Sequence, residues 1–258
     1  MPDQLYARLE QSLKALDLTI MPSYLDSLTR QAATDNWSAL EFLDALTQAE
    51  LAGRTEQAVR RNMRLARFPF HKTLDEFDFA FQPSVNERQI RDLATMRFVA
   101  AAENILFLGP PGVGKTHLAV ALGMCAILQG MSVVFYALPD LLQQLAKDAK
   151  ADRLNQRLNA LARPQLLILD EIGYFSLDKR SAHFLFQLIS RRYQRGSILL
   201  TSNKSYTDWG DVFSDTVLAA ALLDRLLHQS VTDNIRGASY RLKDKLKVIT
   251  APPPPKEG

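Results

Sequence analysis

The stretch Asn104–Thr116, NILFLGPPGVGKT, decides the fold of this chain, because two local patterns meet in it and a third begins where it ends. Ile105–Leu108 are apolar on successive positions, as in a strand buried on both faces. Gly109–Thr116 then match G-x-x-x-x-G-K-[ST], and the run HLAVALGMCAIL that follows reads as a helix. Strand, glycine loop and helix in that order form the setting in which this pattern cradles phosphates, and it sets aside a glycine-rich turn with a chance lysine. Gly109, Gly112 and Gly114 open backbone conformations closed to other residues, so that N–H groups of a loop completed by Pro110, Pro111 and Val113 can turn inward toward an anion. The helix start at Lys115, Thr116 and His117 adds its dipole. Lys115 is predicted to reach the β- and γ-phosphates and the Thr116 hydroxyl to ligate Mg²⁺.

Further apolar runs lie downstream: SVVFYA (132–137), QLLILD (165–170), SILLTSN (197–203) and SVTDNI (230–235). With helical segments between them they predict an α/β protein, a parallel five-stranded sheet between two helical layers. Leu166–Leu169 deliver Asp170 to a strand end, where the Walker B carboxylate of a phosphate-loop protein belongs, holding Mg²⁺ through water. Glu171 next to it suits polarisation of an attacking water. Capping of the following helix is the structural alternative for this acidic pair. Asn203 closes SILLTSN with a donor and an acceptor that can orient water, although asparagine there also suits a turn.

Upstream, the chain reads differently. Residues 1–68 form three helices on apolar spacings such as Leu5, Leu9, Leu13 and Leu16, the second opening at Pro22 and the third at the capping box Ser38–Glu41. RFPFHKTLDEFDFAFQPS (67–84) mixes prolines and phenylalanines without periodicity, a connector lying against apolar surface. Ser84 and Glu87 repeat the capping-box spacing and predict a helix to about Ala102. The expected organisation is a helical domain 1–68, a linker 69–83, an ATPase-type domain 84–250 and a disordered tail 251–258, APPPPKEG.

With 258 residues, 47% hydrophobic and 23% charged, the composition excludes disorder and collagen. One cysteine, Cys125, permits neither an intrachain disulfide nor a zinc cluster, and the first residues carry no signal pattern, so the expected compartment is the cytoplasm. The longest apolar stretch, 118–128, is about half the roughly 20 residues a bilayer span needs. The four histidines are scattered, and neither H-E-x-x-H nor G-x-S-x-G occurs. A net charge of +3 argues little for nucleic acid, but basic residues cluster at 54–67, 179–195 and 236–247. Arg60, Arg64 and Arg67 recur on one helical face, suited to a phosphate backbone or an acidic partner. Lys147, Lys150, Arg153 and Arg157 also recur at three and four, a face for DNA phosphates or a solvated exterior.

GPPGVGKT, LLILDE and Asn203 together resemble the AAA+ ATPases as Walker A, Walker B and sensor 1. The helical start, the FDF connector, ALLDRLLHQS and GASYRLK make the chain similar to the DnaC/IstB clade, and within it to the IstB-type insertion-sequence transposition helper ATPases. The resemblance implies ATP and Mg²⁺ as ligands, head-to-tail homo-oligomers, and Arg225 as an arginine finger acting in trans, with a surface pair to Asp224 or Glu171 as its alternative. It matches Arg241 to sensor 2, with Arg236 competing because too few residues follow the fifth strand for the usual helical lid. The 27 residues 138–164 fall where relatives carry an extra helical element lining a DNA pore. The implied function is assembly on duplex DNA and recruitment or stimulation of a transposase. A replicative helicase loader, a P-loop kinase and a scaffold without turnover are the competing readings.

Overall fold

A computed structural model describes residues 2–213 and 215–243. The expected tail 251–258 and the end of the ATPase domain, 244–250, lie outside the described residues. The chain divides into two compact units, 1–61 and 62–258, and the division falls inside the third helix rather than in the proline-rich connector.

The first unit holds α1 (Pro2–Ala15), α2 (Met21–Asp35) and the start of α3 (Ala39–Ala66). Its core is Leu13, Met21, Leu25 and Leu46. Of the leucines at these spacings only Leu13 is buried; Leu5 and Leu9 on α1, and Leu16 just past its end, are exposed. The Ser38–Glu41 capping box is present, the Glu41 carboxylate accepting from the Ser38 N–H at 2.7 Å. Glu50 is buried and accepts from the N–H groups of Ile20 and Met21 at 2.9 and 2.8 Å, supplying the cap that Ile20 lacks at the start of α2.

The second unit is built on β1 (Asn104–Leu108), β2 (Val133–Ala137), β3 (Leu166–Ile172), β4 (Ser197–Ser202) and β5 (Ser230–Asn234), all parallel, in the order β2-β3-β4-β1-β5. The five apolar runs are these strands. On one face Leu106, Leu108, Leu167, Leu169, Ile198 and Leu200 join a core with α7 (Leu138–Lys150), α8 (Leu154–Ala162), α9 (Lys179–Arg192) and α11 (Thr216–Leu227). On the other, α6 (Lys115–Leu128) comes so close that a Cβ at Gly123 would stand 2.8 Å from Ile168. α10 (Trp209–Phe213) precedes α11.

Three expectations are corrected. Ser84 caps no helix: its hydroxyl donates to Arg236 O at 2.7 Å and accepts from Arg236 N–H at 2.9 Å, so Asn86 caps α4 (Glu87–Leu93) instead. The helix expected to Ala102 breaks after Leu93, and α5 (Arg97–Ala100) restarts beyond Met96, whose φ is +61°. The region 138–164 holds two helices joined through Asp152 at φ +54°, so Lys147 and Lys150 lie on α7, Arg153 on the turn and Arg157 on α8. They do not form one helical face.

Candidate nucleotide site

The C-terminal ends of β1, β3 and β4 open into a cavity of about 590 Å³ lined by Gly112–His117, Asp170, Glu171, Tyr174, Thr201 and Arg241. Gly109, Gly112 and Gly114 have φ of +145°, +83° and +99°, as a loop turning its N–H groups inward requires. Packing imposes a second reason for them. A Cβ at Gly109 would lie 2.1 Å from Ile235 O, one at Gly112 2.1 Å from Ser239 Oγ, and one at Gly114 2.5 Å from Phe77 Cε2.

Lys115 is buried, and its ammonium donates to the carbonyls of Gly109 and Pro110 at 2.7 and 2.8 Å. Burial lowers its pKa to about 8, Asp170 and Glu171 opposing and Arg241 reinforcing the shift. The Thr116 hydroxyl lies 3.0 Å from both Asp170 oxygens. Burial pushes the Asp170 carboxyl up, against hydrogen bonds from Thr201 and Thr116 and the charge of Lys115. Between Leu169 and Ile172 the β3–β4 register slips, and Glu171 takes φ +69°. Thr201 secures this bulge: it donates to Asp170 Oδ1 and accepts from the Glu171 N–H at 3.0 Å.

Two walls reach beyond the Walker motifs. The connector 69–82 supplies Pro69, Phe70, Phe77 and Gln82 to the cavity, so the segment expected to be a linker is part of the site. His117 donates from Nε2 to Thr73 O at 2.8 Å and meets the Phe77 ring edge-on. The segment after β5 forms the other wall, with Tyr240 N–H donating to Gly112 O at 2.9 Å and Gln82 Nε2 to Ala238 O at 2.8 Å.

The remaining candidates divide. Arg241 lines the cavity, whereas exposed Arg236 does not and is tied through its backbone to Ser84. Asn203 is absent from the cavity wall; a Cβ on Gly173 would lie 2.9 Å from its Oδ1, and this buried oxygen has no hydrogen-bond partner. Thr201, two residues earlier, occupies the position beside the acidic pair. Arg225 pairs with neither Asp224 nor Glu171 among the described ion pairs: its guanidinium sits 4.6 Å from the Phe186 ring centroid and donates to Ala221 O at 3.1 Å. Lys147, Lys150 and Arg153 are exposed, but Arg157 turns inward, donating to Tyr136 Oη at 2.8 Å and Gln144 Oε1 at 2.6 Å. Arg60 and Arg64 are exposed on α3, and Arg60 pairs with Glu56 at 2.5 Å. Arg67 leaves their stripe, since α3 ends at Ala66 and its guanidinium rests 5.8 Å from the Tyr136 ring.

The described residues contain no cluster of three or more metal-ligating side chains, so a divalent ion here would take most of its oxygen ligands from phosphate and water. The hard oxygens of Thr116 and Asp170, 3.0 Å apart at the cavity, suit that arrangement. No helix among the described residues is long and apolar enough to cross a membrane.

A parallel sheet in this order, a glycine loop that leaves β1 and enters α6, and an acidic pair on β3 with β4 between the two strands define an AAA+ P-loop nucleotide-binding fold. The model of IstB-like ATP-binding proteins matches residues 11–248, and the chain belongs to that family. It is 45% identical over 238 residues to a Geobacillus stearothermophilus protein of insertion sequence IS5376 named for ATP binding, covering 92% of this chain and 95% of that one. A Pseudomonas aeruginosa counterpart from IS21 is 46% identical over 239 residues, covering 93% and 90%. Among solved structures, the replication initiator DnaA bound to AMPPCP and single-stranded DNA matches with a TM-score of 0.57 and 21% identity over 72% of this chain and 57% of that chain. DnaI matches with 0.53 and 20% identity over 67% and 93%. These two show the fold.

Proposed function

We propose that the chain is an ATPase that binds ATP, assembles head to tail on duplex DNA and recruits or stimulates a transposase. The observation that carries the reading is the division of the catalytic set. Lys115, Thr116, Asp170, Thr201 and Glu171 converge on one cavity, while Arg225 lies outside its wall, stacked on Phe186. A chain that must borrow a cation from a neighbour to complete its site couples turnover to assembly.

In this reading the P-loop N–H groups and the Lys115 ammonium hold the β- and γ-phosphates, Lys115 exchanging two carbonyl contacts for charge-assisted ones. Thr116 directly, and Asp170 through water, would hold Mg²⁺, whose charge offsets that developing on the phosphates. Glu171, aimed by the bulge that Thr201 secures, orients and polarises the attacking water. Arg241 contributes positive charge from the wall beside Lys115. The partner's Arg225 stabilises the transition-state charge, and loss of the γ-phosphate releases the contact between copies. The insertion-sequence relatives support a role in transposition, and the exposed Lys147, Lys150, Arg153, Arg60 and Arg64 supply charge for a phosphate backbone.

Mixing an Arg225→Ala chain with a Lys115→Ala chain tests the central point. Each alone is expected to lack turnover, and the mixture to regain part of it at interfaces joining an intact cradle to an intact finger. A mixture as inactive as its components removes action in trans.

A further inference from the structure

The basic run 179–195 lies outside the nucleotide cavity, and the structure divides it. Arg192 is buried, Lys179 and Arg180 open α9, and Arg191 and Arg195 stand at its other end. There they wall a groove of about 610 Å³ with Phe186, Ser190 and Tyr193, and no acid lines it. Arg191 donates only to neutral partners, Asn155 O, Asn155 Oδ1 and Asn159 Oδ1, at 3.1, 2.7 and 2.8 Å. Arg195 is exposed, and neither arginine takes part in any of the described ion pairs. Arg225 extends the same positive face, because the Phe186 ring on which it stacks is a wall of the groove. Three guanidinium groups with no carboxylate among them make a surface for an acidic partner.

A surface of the complementary charge stands on the connector of the same chain. Residues 69–82 carry Asp75, Glu76 and Asp78 against one lysine, Lys72. Asp78 is taken by Lys243. The Asp75 side chain is 86% exposed and meets Arg91 only loosely, at 3.7 Å. Glu76 is exposed and accepts from the Thr73 N–H and hydroxyl at 2.6 and 3.0 Å, bonds that hold its carboxyl below the usual carboxylate range. It also lines the nucleotide cavity, which a neighbour's Arg225 must reach in the reading above. A copy presenting Arg225 to that cavity brings Arg191 and Arg195 up beside it, onto the connector that forms the wall. We infer that the groove at the end of α9 docks the connector of the next copy, with Arg191 and Arg195 against its Asp75 and Glu76. The segment that walls the nucleotide is then held by the copy that supplies the finger, so assembly braces the cavity it completes. This rests on the head-to-tail reading and names a contact for it.

The test is a charge exchange in the full chain, with oligomer mass read by mass photometry over a range of protein concentrations. A non-hydrolysable ATP analogue is present throughout, with and without duplex. Arg195→Glu alone and Asp75→Arg alone each set like charges face to face, and each is expected to raise the concentration needed for assembly about tenfold. A chain carrying both substitutions regenerates an opposite pair at every head-to-tail interface and is expected to return to within about threefold of wild type. An unchanged melting temperature shows that each variant is folded, as both side chains are exposed. Single variants that assemble like wild type overturn the contact and leave the head-to-tail reading standing. A double variant no better than the single ones overturns the pairing, and is the result expected if the groove takes nucleic acid instead. A wild-type chain that stays monomeric in both conditions overturns the head-to-tail reading together with this contact.

Discussion

Two cations are buried at opposite ends of the same sheet, and they are treated in opposite ways. At the C-terminal end Lys115 meets two carbonyls of its own loop and faces a cavity. At the other end Arg192, 1% exposed, donates to the carbonyls of Leu161, Ala162, Pro164, Gln165 and Ser197 and meets no cavity. Burial lowers the Arg192 pKa only to about 10, so the guanidinium stays charged at any physiological pH, whereas Lys115 at about 8 lies within reach of neutrality. At the scaffold end both terminal guanidinium nitrogens are engaged, Nε alone lacking a partner, and they tie the C-terminus of α8 to the starts of two strands. The functional end keeps its donors exchangeable for those of a ligand.

Breaking each end separately sharpens this contrast. The largest expected effect is on turnover: Glu171→Gln should lower it about 10²- to 10⁴-fold with ATP affinity preserved, measured by phosphate release beside equilibrium binding. Lys115→Ala should weaken ATP binding by about 100-fold or more while the melting temperature stays level or rises, because a cation costly to bury has gone. Arg192→Met should do the reverse. Five carbonyls lose their donor, at least about 3 kcal/mol is lost, and the melting temperature falls roughly 6–12 °C with ATP affinity unchanged in the folded fraction. If both variants changed stability and affinity together, the two ends would not be separable.

A smaller effect separates them by pH. In the ligand-free chain Lys115 loses its proton near pH 8, below the ordinary lysine value of 10.5, so the folded state without ligand prefers it neutral. Bound phosphates prefer it charged. ATP affinity should therefore be flat below about pH 8 and weaken by up to about tenfold per pH unit above it, as a proton must be taken up on binding. The stability of the ligand-free chain carries the opposite sign, gaining from this residue as pH rises from about 8 toward 10.5. Calorimetry in buffers of different ionisation enthalpy would count the proton.

What the sequence discloses and what it conceals follow from the range of the contacts. The strands β1, β3 and β4 are legible because burial on both faces leaves its mark on consecutive residues, whereas β5, at the sheet edge, carries no such mark, since none of its residues is buried. The motifs for Asp170, Glu171 and the glycine loop are legible because each is local to one strand end, and the fold brings them to one cavity. Ser84 misleads because its partner, Arg236, is 152 residues away and no spacing rule reaches so far. The stripe from Lys147 to Arg157 misleads because its periodicity survives a turn at Asp152 that ends one helix and starts another. Thr201 is hidden in plain view, as it looks like one more strand residue until the bulge at Glu171 makes its hydroxyl the joint of the acidic pair.

The phenylalanine packed on Gly114 sets where this protein can be cut. A fragment begun at Ser84, where the patterns place the domain boundary, would shed Phe77, the Thr73 carbonyl that holds His117, and Gln82, leaving the floor of the cavity without one side. A fragment begun near Asn62, where the compact unit starts, would carry that side with it. The shortest portable nucleotide binder in this chain thus begins within a helix of the preceding region, and grafting the ATPase onto another partner means taking the end of that helix along.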